Sequence, residues 1–419
     1  MRIRLTLALL VFLFPGSVAA QNPQYIGAGG CSSSNCHGAT SAAPEKESRI
    51  LANEYSIWSV RDKHAKAYSA LAAERSKRMA AILKLDNAQT APRCLSCHAA
   101  GSPAKFVSDG VACEACHGPA EKWLGPHTGA GQSHAANVAL GLYDTKNLQL
   151  RAKKCLECHL GTSEKVVDHE LLAAGHPDLA FELDTFSAGQ PMHYREPQPE
   201  GGGSLPRVRR WAVGQAVTLA EGMRQLASRA STNWPEFSEL ECYQCHHDLR
   251  RESWRIGRGY GGRKPGSLLI NVSRFEVVRI LAAGAARERA GALDGSLAQL
   301  TSLVAHKLAD GPAIAQTARG LAQQADVLAA RFAGQDFDAA AARAIVAALA
   351  AEAGRIAGSG VQAAEQVAMS LDAVGGAYAA DSPAVQAAIG KLYDYLEHPS
   401  VYQPSEFAAQ VRKLAASLR

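Results

Sequence analysis

Ten cysteines fall into five pairs, and a histidine follows each pair directly. The stretches are CSSSNCH (Cys31, Cys36, His37), CLSCH (Cys94, Cys97, His98), CEACH (Cys113, Cys116, His117), CLECH (Cys155, Cys158, His159) and CYQCH (Cys242, Cys245, His246). Histidine makes up 14 of 419 residues, so chance does not set one after every pair. In a turn entering a helix, positions i, i+3 and i+4 share a face. Two thiols so placed can bond the two vinyl groups of one porphyrin, and the next imidazole rises beneath the iron. This is the c-type haem attachment pattern. Five disulfides would leave the histidines unexplained. Zinc sites need four ligands from two knuckles, and a thioredoxin-like redox pair would occur once. CSSSNCH has two extra residues between its cysteines; Ser-Ser-Ser-Asn suits a bulging turn that still brings both sulfurs to one porphyrin. The expected cofactor set is five covalent haems, with the five following histidines as proximal iron ligands.

Each iron has a second axial position. A histidine there makes a low-spin haem that moves electrons, whereas an open position can bind a substrate. Nine histidines remain. His306 and His398 lie in a distant helical stretch and read as solvated surface residues. His64 sits in WSVRDKHAKAYSAL, and His127 ends CEACHGPAEKWLGPH. His169 and His176 lie seven apart in VDHELLAAGHPDLAFEL, about two turns if helical, and His193 is in QPMHY. These five are the expected distal ligands. His134, in a Gly/Ser-rich loop, is a second choice. His247 adjoins a proximal histidine, so its ring is expected to point elsewhere. Met79 and Met192 are weaker substitutes.

The elements that must position these groups divide the chain into three. MRIR, the apolar LTLALLVFLF and SVAA read as a secretory signal peptide over residues 1–20, cleaved near Ala20–Gln21. It is too short for a span with a stop-transfer flank, and no later stretch is long and apolar enough to cross a bilayer. Residues 21–265 read as a pentahaem domain of short helices and loops. Fifteen residues separate Cys97 from Cys113, so the second and third haems should be neighbours. EPQPEGGGSLP (196–206) and SWRIGRGYGGRKPGS (253–267) are Pro/Gly-rich loops, and RVRRWAVGQAVTLAEGMRQLASRAS between them reads as a helix with Trp211, Val217, Ala220 and Leu226 apolar. Residues 266–419 lack cysteine and are alanine-dense. VVRILAAGAARERAGAL, LAQLTSLVAHKLA, TARGLAQQADVLAARF and AVQAAIGKLYDYL carry helical spacings, with helix starts at Asp381-Ser382-Pro383 and Ser405. The fold class is therefore mainly α: a haem domain followed by an Ala-rich bundle of five or six helices, whose role is packing support and homo-oligomerisation.

The formal charge is +5. Five haems would bring about ten propionates and leave the mature protein near −2 when ferric and about −7 when ferrous. Nucleic-acid binding thus has no support from charge. No phosphate-cradling glycine loop or Ser/His/Asp nucleophile set stands out.

The stretches CSSSNCHG, DKHAKAYSAL, CLSCHA, GVACEACHGPAEKWLGPH, KCLECHLG, VDHELLAAGHPDLAFEL and CYQCHHDL together resemble a family of multihaem c-type cytochromes. That family includes the tetrahaem electron acceptor of hydroxylamine oxidoreductase, octahaem hydroxylamine oxidoreductases and pentahaem nitrite reductases. The resemblance covers roughly residues 25 to 255. It implies a mostly helical chain wrapped around haems in stacked and tilted pairs. It also implies that His64, His127 and either His169 or His176 are distal ligands. The pentahaem nitrite reductases carry lysine where the proximal histidine of their catalytic haem would stand. Here all five motifs end in histidine, which counts against catalysis. The expected function is electron transfer between redox partner proteins in the periplasm or outside the cell, with donor and acceptor unspecified. The rival is an oxidoreductase acting on a small nitrogen or sulfur oxyanion at one haem with an open distal position.

Overall fold

The computed structural model describes residues 24–45, 50–196, 203–247, 249–258, 264–379 and 382–418. The expected signal peptide lies outside these residues, as do the middles of both Pro/Gly-rich loops. The fold is mainly helical. Among the described residues, β-structure is confined to an isolated antiparallel bridge between Leu240 and Ile270. No described helix is long and apolar enough to cross a membrane.

The N-terminal part is built from short helices. α1 is Glu54–Arg61, α2 Glu74–Ile82, α3 Pro92–His98, α4 Cys113–His117, α5 Leu148–His159, α6 His169–Ala173 and α7 Leu183–Gly189. Caps in the sequence explain several starts. Pro92 opens α3, where a missing N–H costs nothing. The Asn147 side chain accepts the N–H groups of Gln149 (3.0 Å) and Leu150 (3.2 Å) at the start of α5. Up to α5 the chain buries little of its own apolar surface; Leu71, Ala80 and Ala88 form a small cluster there. Val60 and Ile82 stay exposed. So little buried surface would leave this part marginal as a bare polypeptide.

The rest is a conventional core. α8 is Pro206–Thr232, the longest helix described. Trp211, Val217, Ala220 and Leu226 are all buried, and so are residues on its other faces. A helix apolar all round belongs inside a bundle. It packs chiefly against α11 (Gly311–Ala333), with α5 and α7 on its other sides. At Gly214 an added Cβ would lie 2.5 Å from Leu183, so α8 meets α7 at van der Waals limits. One hydrophobic cluster runs from Ala152 in α5 to Leu418. Residues on both sides of position 265 therefore share a core.

The C-terminal part contains seven α-helices rather than the five or six expected. They are α9 (Glu276–Ala285), α10 (Arg287–His306), α11, α12 (Ala339–Ala357), α13 (Val361–Tyr378), α14 (Pro383–Leu396) and α15 (Pro404–Ser417). VVRILAAGAARERAGAL spans two of them. Ala286 leaves helical geometry at φ −148° while fully buried, so the break is made by packing and no local signal marks it. Ser382 caps α14 as expected by accepting the N–H of Val385. Ser405 does not start a helix: α15 begins one residue earlier at Pro404, whose fixed φ suits the first helical position.

Glu365 on α13 gives this layer a pH signature. Burial, helped by neighbouring Asp178, pushes its carboxyl from 4.5 up to about 7. The folded chain thus keeps a proton that the unfolded chain has lost, and stability falls as pH rises from 4.5 through about 7. Glu365→Gln should flatten this part of the pH dependence in urea denaturation, and an unchanged profile would refute it.

Candidate functional site

Three of the five motifs are helical. CLSCH ends α3, CEACH forms α4 and CLECH ends α5. CYQCH is a 3₁₀ turn over Cys242–Gln244, with the His246 N–H bonded to the Cys242 carbonyl at 2.8 Å. CSSSNCH leaves a 3₁₀ turn at Cys31 and closes its extra residues on one acceptor. The N–H groups of Cys36 and Gly38 both reach the Ser33 carbonyl at 2.9 Å. A Cβ on Gly38 would lie 1.9 Å from the Ser32 oxygen. Gly38→Ala should therefore open this turn and cost the first haem attachment, read by mass spectrometry as protein one haem short. Gly29→Ala, where nothing lies within 4 Å of the added carbon, should leave the mass unchanged.

None of the ten cysteines is paired in a disulfide. The first motif lies against the third, with Cys31 beside Cys113, and the second against the fourth, with Cys97 beside Cys158. The residues flanking the second and third motifs also meet: the Ala112 N–H bonds the Ala100 carbonyl at 3.2 Å.

The imidazoles of the motifs do not stand alone. His37 faces His127 with ring centres 6.3 Å apart and planes 9° from parallel. His64 faces His159 at 6.2 Å, His98 faces His176 at 6.4 Å, and His169 faces His246 at 6.1 Å. Two metal–imidazole bonds of about 2 Å, with about 1 Å from each nitrogen to its ring centre, put two axial imidazoles about 6 Å apart. The rings are thus spaced for an iron between them. His117 is half-buried, and desolvation with the neighbouring His193 pushes it down to about 4. Burial, with His64 next, does the same to His159. Both rings stay neutral at physiological pH, the form that binds metal. Among the described residues, no group of three or more His, Cys, Asp or Glu side chains converges on one point. The imidazoles come in twos, the number a macrocycle-bound iron takes from protein.

Most of these rings are fixed through Nδ1, which leaves Nε2 for a metal. His37 Nδ1–H donates to Glu54 Oε2 at 2.9 Å and His64 Nδ1–H to Asp62 Oδ1 at 3.0 Å. His98 donates to the Ala67 carbonyl (2.9 Å), His176 to that of Pro177 (2.8 Å) and His193 to that of Pro191 (3.3 Å). His127 donates to the Leu124 carbonyl and stands edge-on to Trp123. His134 is built the other way: its Nε2 is taken by Asp144 at 2.9 Å. His246, not its neighbour His247, faces His169. His306 and His398 are exposed, and Met192 is 64% exposed.

Distant contacts hold the segments that carry the distal rings. Arg93 on α3 bonds Asp168 (2.6 Å) and Glu170 (2.8 Å), while Asp168 caps α6 through the Leu171 N–H. That clamp sets His169. Arg75 donates to the Gly175 carbonyl beside His176 (3.0 Å). Phe181 and Phe186 pack on the His159 ring at 5.3 and 5.2 Å. Reading the sequence missed Glu54, Asp62, Arg93 and this aromatic pair. Asp62 had a signal, lying two residues before His64 where an Asx turn forms. Glu54 had none.

A mainly helical chain whose Cys-x-x-Cys-His turns face imidazoles from elsewhere in the sequence has the build of a c-type cytochrome. Residues 31–118, which take in the first three attachment motifs, match the model of the family described as cytochrome c554 and c-prime. The match supports an electron-transfer cytochrome c with covalently bound haem. No curated protein and no solved structure matches the chain.

Proposed function

We propose that this protein is a pentahaem c-type cytochrome that carries electrons between redox partner proteins in the periplasm or outside the cell. The observation that carries the reading is the set of four facing imidazole pairs 6.1–6.4 Å apart, each joining the histidine of the first, second, fourth or fifth motif to one from a segment without cysteine. His193 is the histidine whose charge acts most strongly on His117 of the third motif. Cys31 and Cys36 hold the first haem between His37 and His127. Cys94 and Cys97 hold the second between His98 and His176, and Cys113 and Cys116 the third between His117 and His193. Cys155 and Cys158 hold the fourth between His159 and His64, and Cys242 and Cys245 the fifth between His246 and His169. When bound, haem supplies a one-electron couple at each position. The protein's part is to hold both axial imidazoles and set the five positions side by side. No proton need move in that chemistry.

The purified holoprotein should contain five haems by pyridine haemochrome assay and mass. Its oxidised electron paramagnetic resonance spectrum should be low-spin throughout. A substantial high-spin signal removed by nitrite or hydroxylamine would overturn this reading in favour of an enzyme with an open iron.

A further inference from the structure

The ring contacts differ in kind. Four of the Nδ1 partners described above are backbone carbonyls: Ala67, Leu124, Pro177 and Pro191. The other two are carboxylates, Glu54 on His37 and Asp62 on His64. Both carboxylates are anchored from a second side. Glu54 Oε1 accepts the Leu51 N–H at 2.8 Å, and Asp62 Oδ2 accepts Gln190 Nε2 at 3.0 Å. Asp62 Oδ1 also takes the His64 backbone N–H at 2.9 Å, and its residue is 3% exposed. The two lie on different imidazole pairs, His37 with His127 and His64 with His159. Among the described residues the other three pairs have no carboxylate hydrogen-bonded to a ring nitrogen.

A carboxylate draws the Nδ1 proton toward itself more strongly than a neutral carbonyl does, and so makes the ring a more basic ligand. A more basic ligand, with a negative charge fixed behind it, favours the ferric over the ferrous state. We propose that Glu54 and Asp62 are positioning residues that hold the first and fourth haems at lower reduction potential than they would otherwise have, so that these two are reduced after their neighbours of similar exposure. The proposal rests on the five-haem reading above.

The test is spectroelectrochemical titration of the holoprotein carrying Glu54→Gln or Asp62→Asn. Each amide keeps the size and an accepting oxygen but removes the charge. Each variant should move one of the five one-electron waves upward by about tenfold in the ferric/ferrous equilibrium, about 59 mV. The other four waves should stay in place, haem content should remain five, and the spectrum should remain low-spin. Glu54→Asp should return part of the shift. If Glu54→Gln fails to take up haem, Asp62→Asn carries the same test at a different iron. Unmoved waves with five low-spin haems intact, or an equal shift of all five, would overturn the role of these carboxylates alone. Fewer than five haems in the unsubstituted protein would overturn the underlying reading instead.

Discussion

His64→Ala should convert one haem in five from low-spin to high-spin and leave the other four untouched. His64 faces His159 at 6.2 Å, and its Nδ1 is engaged by Asp62, so Nε2 alone is available to a metal. On the proposed ligation, removing the ring takes away one axial ligand while the thioethers at Cys155 and Cys158 and the proximal His159 remain. The haem therefore stays attached and changes only its coordination. His134→Ala is the control. That ring has Nε2 committed to Asp144, so its loss should leave the spin state alone. Electron paramagnetic resonance of the two oxidised variants decides the matter. A low-spin spectrum in His64→Ala would remove His64 from the ligand set, and a high-spin signal in His134→Ala would add a ligand.

Trp211→Ala should have the largest effect on stability, about 3–5 kcal/mol by the usual cost of truncating a buried aromatic. Trp211 is fully buried on α8, and its indole N–H donates to Ser370 Oγ on α13 at 3.0 Å. The substitution leaves both a cavity and a hydroxyl without its donor. The informative part is which region melts. The core is continuous from α5, which carries the fourth motif, through the C-terminal helices. Thermal unfolding followed by far-ultraviolet dichroism and by haem absorbance should shift together. Two separated transitions, with only the helical one moved, would show that the two regions fold independently.

The cysteine–histidine motifs stand out in the sequence because their pattern is local: two thiols and an imidazole lie within five residues, or seven in CSSSNCH. The candidate distal histidines formed only a short list in the sequence. Which ring faces which is settled by contacts such as Arg93 to Asp168, across a separation no motif spans. Glu54 was invisible for the same reason, since an acidic residue at a helix start has a sufficient local explanation already. The C-terminal region was readable as helical from its spacing. Its helix count was not, because Ala286 breaks a periodic run by packing alone. A change in composition near 265 suggested a boundary, yet α8 on one side and α11 on the other are packed together.

The order of the facing rings along the chain has a mechanical consequence. His37 reaches forward to His127, His64 to His159, His98 to His176 and His169 to His246, and the proposed third pair joins His117 to His193. On the proposed ligation each iron is a staple closing a loop of roughly 75–95 residues, worth about 4–5 kcal/mol by the loop-entropy estimate used for disulfides. All five staples overlap, each opening before the previous one shuts, like links in chain mail. A nascent chain that stops short of residue 127 can complete none of them. Cutting the finished protein at one point in this region would leave its fragments tethered.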